Sequence, residues 1–245
     1  MIKIIGTTIS STNYFEAVKD TLKWASKNES RYICIANVHM LMEAYDSTRY
    51  AEIINAADLV TPDGMPLVWL MRKKGNPEQQ RVYGPTLMLH VLEAATRDNI
   101  PVGFYGSTPE VLETLQKKLL QRFPKLKISY VYSPPFRETT PQEDMEIINQ
   151  INASNALILF IGLGCPKQEK WMSEHRGKVN AVMLGVGAAF DFHAGLKSQA
   201  PAWMQRNGLE WLFRLITEPR RLWKRYLYHN PRFIFLSIAD LLGWL

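Results

Sequence analysis

Cysteine is scarce in this chain: of 245 residues only Cys34 and Cys165 are cysteines, each beside an apolar, strand-like run. That excludes a disulfide framework and reads as two reduced structural thiols in a reducing compartment. Long apolar runs are also missing. The longest uncharged stretches, Ala156 to Leu163 and Phe233 to Ala239, fall well short of the roughly 20 residues that a spanning helix needs. The opening Met-Ile-Lys-Ile-Ile-Gly-Thr-Thr is too short for a signal peptide and offers no cleavage site. Zinc-finger spacing and aromatic-rich nucleic-acid signatures are absent, so a net charge of +6 does not by itself point to nucleic acid. There is no Asp-x-Asp pair either. An enzyme that grips a nucleotide diphosphate through a divalent cation usually needs paired carboxylates, so neither a metal nor another cofactor is expected. His39 and His193 have no partner at a useful spacing and are not read as metal ligands.

What the chain does have is a charged end. From Arg206 to Arg232 seven basic residues face only Glu210 and Glu218, a net +5 of the whole protein's +6. Trp203, Trp211, Phe213, Trp223, Tyr226 and Phe233 are interleaved with them. A cationic, Trp-rich tail on a nearly neutral body suits an anionic surface or a charged lipid head group. Arg214, Arg221 and Arg225 are spaced seven and four apart, which gathers them into one stripe of a helix. Pro219 interrupts that stripe, so two helices are expected to meet at Thr217-Glu218-Pro219. The same spacing also fits an ordinary solvated helix face, and the apolar end is compatible with self-association into a homo-oligomer.

Ahead of residue 196, strand-length apolar runs alternate with helical periods. The expected strands are Tyr32 to Ala36, Leu59 to Thr61, Val102 to Tyr105, Ile128 to Tyr132, Leu157 to Ile161 and Val182 to Val186. Most lack polar alternation, as strands covered on both faces do. Helical patterns run near Tyr14 to Ser26, Met40 to Ala56, Leu87 to Asp98, Pro109 to Arg122, Glu143 to Asn152 and Gln168 to Arg176. The expected fold is α/β: a Rossmann-like, mostly parallel sheet with helices on both faces, plus a C-terminal helical basic appendage. The expected division is a body over residues 1–195 and an appendage over 196–245.

Parallel sheets bind ligands beyond the carboxyl ends of their strands. The residues there are Asn37, Thr61-Pro-Asp63-Gly-Met, Gly106-Ser107-Thr108-Pro109, Tyr132-Ser133, Gly162-Leu-Gly164-Cys-Pro166-Lys167-Gln168-Glu169 and Gly187-Ala-Ala-Phe-Asp191. The Gly106-Ser107 turn reads either as a capped helix start or as a phosphate-binding one. Gly162-x-Gly164 begins like a dinucleotide fingerprint but carries Lys167 where the third glycine belongs. Pro166 and the Lys167-Gln168-Glu169 triplet suit a pyrophosphate or sugar at a helix N-terminus, with Gln168 and Glu169 as the sugar-bonding pair. Asp63 sits in Pro-Asp-Gly, which is turn chemistry, yet it also stands beside Met65, Leu67 and Trp69, where an apolar wall would raise its pKa toward that of a general base. Asp191 is placed to accept from a sugar hydroxyl or to act as a second carboxylate. Arg81 reads as a bidentate phosphate clamp or as a solvated loop residue.

Taken in order, Asn37, Thr61-Pro-Asp63-Gly-Met, Arg81-Val-Tyr-Gly, Phe104-Tyr-Gly-Ser, Gly162-Leu-Gly-Cys-Pro-Lys-Gln168-Glu, Gly185-Val-Gly-Ala-Ala-Phe-Asp191 and Glu210-Trp-Leu-Phe-Arg214 … Pro219-Arg-Arg221-Leu-x-x-Arg225-Tyr resemble the WecG/TagA/CpsF glycosyltransferases (glycosyltransferase family 26). The resemblance runs through nearly the whole chain. It implies a peripheral enzyme on the inner face of a bacterial membrane that moves a sugar from a UDP donor to a polyprenyl-diphosphate-linked saccharide, inverting the anomeric centre without a metal. By position it implies Asp63 as general base and Arg81 as a phosphate-side group. Gln168 and Asp191 would lie in the donor or acceptor site, and Arg214, Arg221 and Arg225 would hold the diphosphate. Two other readings stay open: an NAD(P)-dependent oxidoreductase using the Gly162-x-Gly164 turn, and a non-catalytic nucleotide-sugar-binding protein.

Overall fold

A computed structural model describes residues 1–244. The chain runs β1 (Ile2–Ile4), β2 (Thr7–Ile9), α1 (Tyr14–Ala25), β3 (Arg31–Ala36), α2 (Val38–Asp46), α3 (Thr48–Asn55), β4 (Leu59–Pro62), α4 (Met65–Lys73), α5 (Gly84–Arg97), β5 (Val102–Gly106), α6 (Pro109–Arg122), β6 (Ile128–Tyr132), α7 (Pro141–Ala153), β7 (Ile158–Gly162), α8 (Lys167–His175), β8 (Val182–Gly185) and α9 (Ala189–His193). The tail then forms α10 (Ala202–Arg206), α11 (Glu210–Thr217) and α12 (Pro219–Leu241). The expected α/β class holds. Strands β3 to β8 form one parallel sheet in the order β4-β3-β8-β7-β5-β6.

The unbroken apolar runs are explained by burial on both faces. Tyr32, Cys34 and Ala36 of β3 point into one core with Tyr105, Leu159 and Met183, under α2, α3, α7 and α8. Their neighbours Ile33 and Ile35 point into the other with Phe104, Phe160 and Leu184, under α1, α5, α6 and α9. Alternation is still present along each strand, but both sides of it are apolar. Cys34 is fully buried and Cys165 partly so, and both are free thiols.

Three details differ from the sequence expectation. The pattern over Met40 to Ala56 is two helices, because Ser47 leaves the helix (φ −142°, ψ 107°) and turns its hydroxyl onto the Tyr50 N–H at 3.3 Å. α4 follows Asp63 directly, with Pro66 in its first turn and no side-chain cap. β1 and β2 form an antiparallel hairpin outside the main sheet, closed at Ile5 and Gly6, both at positive φ. Its three-residue strands are too short for periodicity to mark.

The break expected at Glu218-Pro219 is present, with Pro219 opening α12. α12 packs against α2 and buries Leu222, His229, Phe233 and Leu236. Asp240 fastens its far end, accepting from Ile5 N–H at 3.1 Å and pairing with Lys74 at 2.6 Å. Among the described residues no helix is long and apolar enough to cross a membrane.

Candidate active site

Successive strands deliver polar groups to one edge of the sheet. Asn37 follows β3 and caps α2, accepting from Met40 N–H at 3.2 Å. Thr108, not Ser107, caps α6, so Ser107 at φ +62° is left facing the edge. The ends of β5 and β7 lie so close that a Cβ on Gly106 would stand 2.7 Å from the Gly162 carbonyl carbon. Gly164 turns the chain into α8 at φ +79°. Its N–H donates to Gln168 Oε1 at 3.2 Å.

These ends enclose a polar crevice of about 280 Å³. Asn37, Asp63, Ser107, Gly162, Gly164, Gln168 and Asp191 line it from the body, and Arg214, Arg221 and Arg225 from the appendage. Beside it runs an apolar groove of about 940 Å³ between α4 and the tail, walled by Met65, Trp69, Leu70, Trp211, Leu215, Trp223, Leu227 and Phe233. Asn37, His39, Asp63, Glu210, Arg214 and Arg225 line both spaces. Asp63 therefore stands at the junction. Leu67, read from sequence as part of its wall, is instead fully buried in the core.

Only 17% of the Asp63 side chain is exposed. Burial pushes its carboxyl up to about 6, against the pull of the Arg81 guanidinium and with a further upward push from Glu210. Arg81 donates to Asp63 Oδ1 at 3.2 Å, to the Asp63 carbonyl, and to Glu210 Oε2 at 2.6 Å, and its guanidinium lies 4.2 Å from the Tyr83 ring. Despite its burial, the two carboxylates hold it above the usual arginine value. This pairing differs from the phosphate clamp expected from sequence. Its Nη2 donates to both carboxylates and its Nε–H to the Asp63 carbonyl, so it links Asp63 to α11, and it lines the apolar groove and not the polar crevice.

Glu169 also departs from expectation. It is fully buried behind the crevice, accepting from Gln168 Nε2 at 2.7 Å and from the Tyr50 hydroxyl at 3.0 Å. Burial raises its pKa. It orients Gln168 and does not itself line the crevice. Lys167 is exposed, Tyr132 packs against Tyr105 and Tyr130, and Gly106 and Pro166 shape backbone, so none of these four lines the crevice. Asp191 does, paired with Lys197 at 3.1 Å.

The three tail arginines differ in their pairing. Arg221 pairs with Glu218 at 2.7 Å, while Arg214 only approaches it at 4.0 Å and leaves a buried Nε–H without a partner among the described residues. Arg225 is half-buried and pairs with no carboxylate among the described residues, and burial, reinforced by Arg221, holds its pKa below the usual value. Sequence spacing missed one further cluster. His39 and Glu43 on α2 meet His229 from α12, with their donor atoms within 4.8 Å of one another. The only signal available beforehand was the i,i+4 spacing of His39 and Glu43, because the third member arrives from the far end of the chain.

Comparison with known proteins places these motifs. The profile of the glycosyl transferase WecG/TagA/CpsF family matches residues 2–244. An N-acetylglucosaminyldiphosphoundecaprenol N-acetyl-beta-D-mannosaminyltransferase of Bacillus spizizenii (strain W23) is 30% identical over 205 residues, covering 83% of this chain and 77% of the relative. A protein of the same description from Staphylococcus aureus (strain NCTC 8325) is 29% identical over 228 residues, covering 91% and 86%. With residues 2–244 matched by the family profile and these relatives covering most of both chains, the chain belongs to the WecG/TagA/CpsF family of glycosyl transferases.

Proposed function

We propose that this protein is an inverting glycosyltransferase that moves N-acetylmannosamine from a UDP donor to a polyprenyl-diphosphate-linked saccharide during synthesis of a bacterial surface polysaccharide or teichoic acid. The observation that carries this reading is the position of Asp63, where a small polar crevice rimmed by arginines opens onto a large apolar groove. A UDP-sugar suits the first space and a lipid-linked acceptor the second. The relatives' described acceptor, a diphosphoundecaprenol-linked sugar, has both the charge and the apolar chain that such a pair of spaces would take.

In the proposed reaction the Asp63 carboxylate takes the proton of an acceptor hydroxyl. The freed oxygen attacks the anomeric carbon from the face opposite UDP, and the bond from that carbon to the diphosphate oxygen breaks. The electron pair leaves with UDP. Arg214, Arg221 and Arg225 neutralise the departing diphosphate, and the unpartnered Arg214 Nε–H is one donor it would satisfy. Asn37, Ser107, Gln168 and Asp191, with the backbone at Gly162 and Gly164, hold the sugar and nucleotide. Glu169 keeps Gln168 in register, and Arg81 holds Asp63 against α11. Arginines take the role that magnesium plays elsewhere, so no added magnesium or manganese is required.

In this reading residues 1–195 are the catalytic body. Residues 196–245 form both the lid and the membrane-facing surface, on the cytoplasmic side. Trp203, Trp223, Leu227, Ile234, Phe235 and Ile238 are exposed along the tail beside Arg220 and Lys224, as an interfacial helix requires.

The test is a panel of UDP-sugars offered with a short-chain polyprenyl-diphosphate-linked N-acetylglucosamine. Transfer from UDP-N-acetylmannosamine, with an inverted anomeric centre in the product, is the expected result. Asp63→Asn should bind UDP normally and lose transfer by roughly 10²–10⁴-fold. Normal turnover in that variant removes the base assignment, and binding of NAD(P)H without UDP overturns the transferase reading altogether.

A further inference from the structure

We propose that His39, Glu43 and His229 form a three-ligand site for a borderline divalent cation of the zinc class, which fastens α12 to α2. The ligand set fits: two imidazole nitrogens and one carboxylate oxygen suit zinc and its neighbours far better than magnesium. His39 and Glu43 lie one turn apart on one face of α2, the spacing by which a helix presents two ligands to one ion. His229 completes the set from a buried position on α12.

The distances favour an ion over direct pairing. Glu43 Oε1 lies 3.4 Å from His39 Nε2 and 3.6 Å from His229 Nε2. Both are too long for good N–H···O hydrogen bonds, which cluster near 2.9 Å. They are close to the edge of a tetrahedron with bonds of about 2.1 Å, which is about 3.4 Å. Glu43 is 35% exposed, which leaves an approach for the ion and room for water as fourth ligand.

The consequence concerns the tail. α12 carries Arg221 and Arg225 into the polar crevice, and α2 begins at Asn37 on the rim of that crevice. An ion between the two helices fixes the arginines over the body without touching the diphosphate. The inference stands apart from the transferase reading, because its test measures metal and not turnover.

The full chain, stripped with chelator, is titrated with ZnCl₂ by calorimetry and then melted with and without the metal. Saturable 1:1 binding and a higher Tm are expected. Glu43→Gln and His229→Ala should each weaken binding at least tenfold, while Arg232→Ala, which removes the Asp46 ion pair across the same seam and no proposed ligand, should bind 1:1. Should those variants fold poorly, His229→Cys loaded with Co²⁺ decides the matter. A thiolate-to-cobalt charge-transfer band absent from the Co²⁺-loaded wild type identifies position 229 as a ligand. No saturable zinc binding by the wild type, equal binding by the Glu43 and His229 variants, or no such band would each overturn the site.

Discussion

At the scale of single residues, the proposed chemistry depends on how Asp63 is kept. A carboxylate that follows β4 into a Pro-Asp-Gly turn would ordinarily be solvated, but here α4, Arg81 and Glu210 close around it. With its pKa at about 6, Asp63 is protonated below that pH, the form in which the proposed base would be inactive. The kcat/KM profile should therefore show an acid limb near 6. Arg81→Ala removes the cation that opposes burial and leaves Asp63 facing Glu210, so the limb should move to higher pH and the rate at neutral pH should fall. The same shift bears on stability. The native state binds the Asp63 proton more tightly than the unfolded chain does, so this group lowers stability progressively as pH rises from about 4 to 6. Asp63→Asn removes that cost. Its Tm relative to wild type should be more favourable at pH 7.5 than at pH 4.5, and thermal melts at the two values check it.

At the scale of elements, the appendage supplies charge that the body lacks. Arg225 enters the crevice from α12 without a carboxylate partner among the described residues, so its replacement removes no ion pair described there. Arg225→Ala should leave Tm unchanged or raised and lower transfer about 10–100-fold, in line with the loss of one charged donor at a developing anion. A melt and a steady-state assay on the same preparation separate this from simple unfolding. Gly106→Ala tests the other side of the site. Its φ of +117° disfavours any side chain, and its Cβ would press on the Gly162 carbonyl, so β5 and β7 would have to part. A loss of about 2 kcal/mol or more is expected in urea unfolding with an unchanged m-value.

At the scale of the whole molecule, body and tail both line the proposed site. Removing residues 196–245 takes away three arginines of the crevice and most of the groove wall. It also removes Phe233 and Leu236 from the core they share with the body. Such a truncation should lose transfer and vesicle binding together. In sedimentation with anionic vesicles the intact chain should bind, and binding should weaken as salt rises, because part of the attraction is screened. Full transfer to a lipid-linked acceptor by the truncated chain would refute the lid.

The amino-acid sequence by itself determined what depends on neighbours along the chain. The six sheet strands are legible as both-faces-buried runs, the tail break as Glu218-Pro219, and the site's edge as the residues that follow each strand. Only the tertiary structure decided which of those residues share a space and which way their side chains turn. Glu169 adjoins Gln168 in sequence, yet helical geometry sends it to the buried side, where Tyr50 receives it. Arg81 has the loop context of a phosphate clamp, but Asp63 and Glu210 converge on it from β4 and α11. His39 and Glu43 gain His229 only because α12 folds back on α2. Local pattern reports periodicity and turn chemistry, which act over a few residues. Burial, charge pairing and ligand sets arise between groups far apart in sequence, and those exist only once the chain has packed.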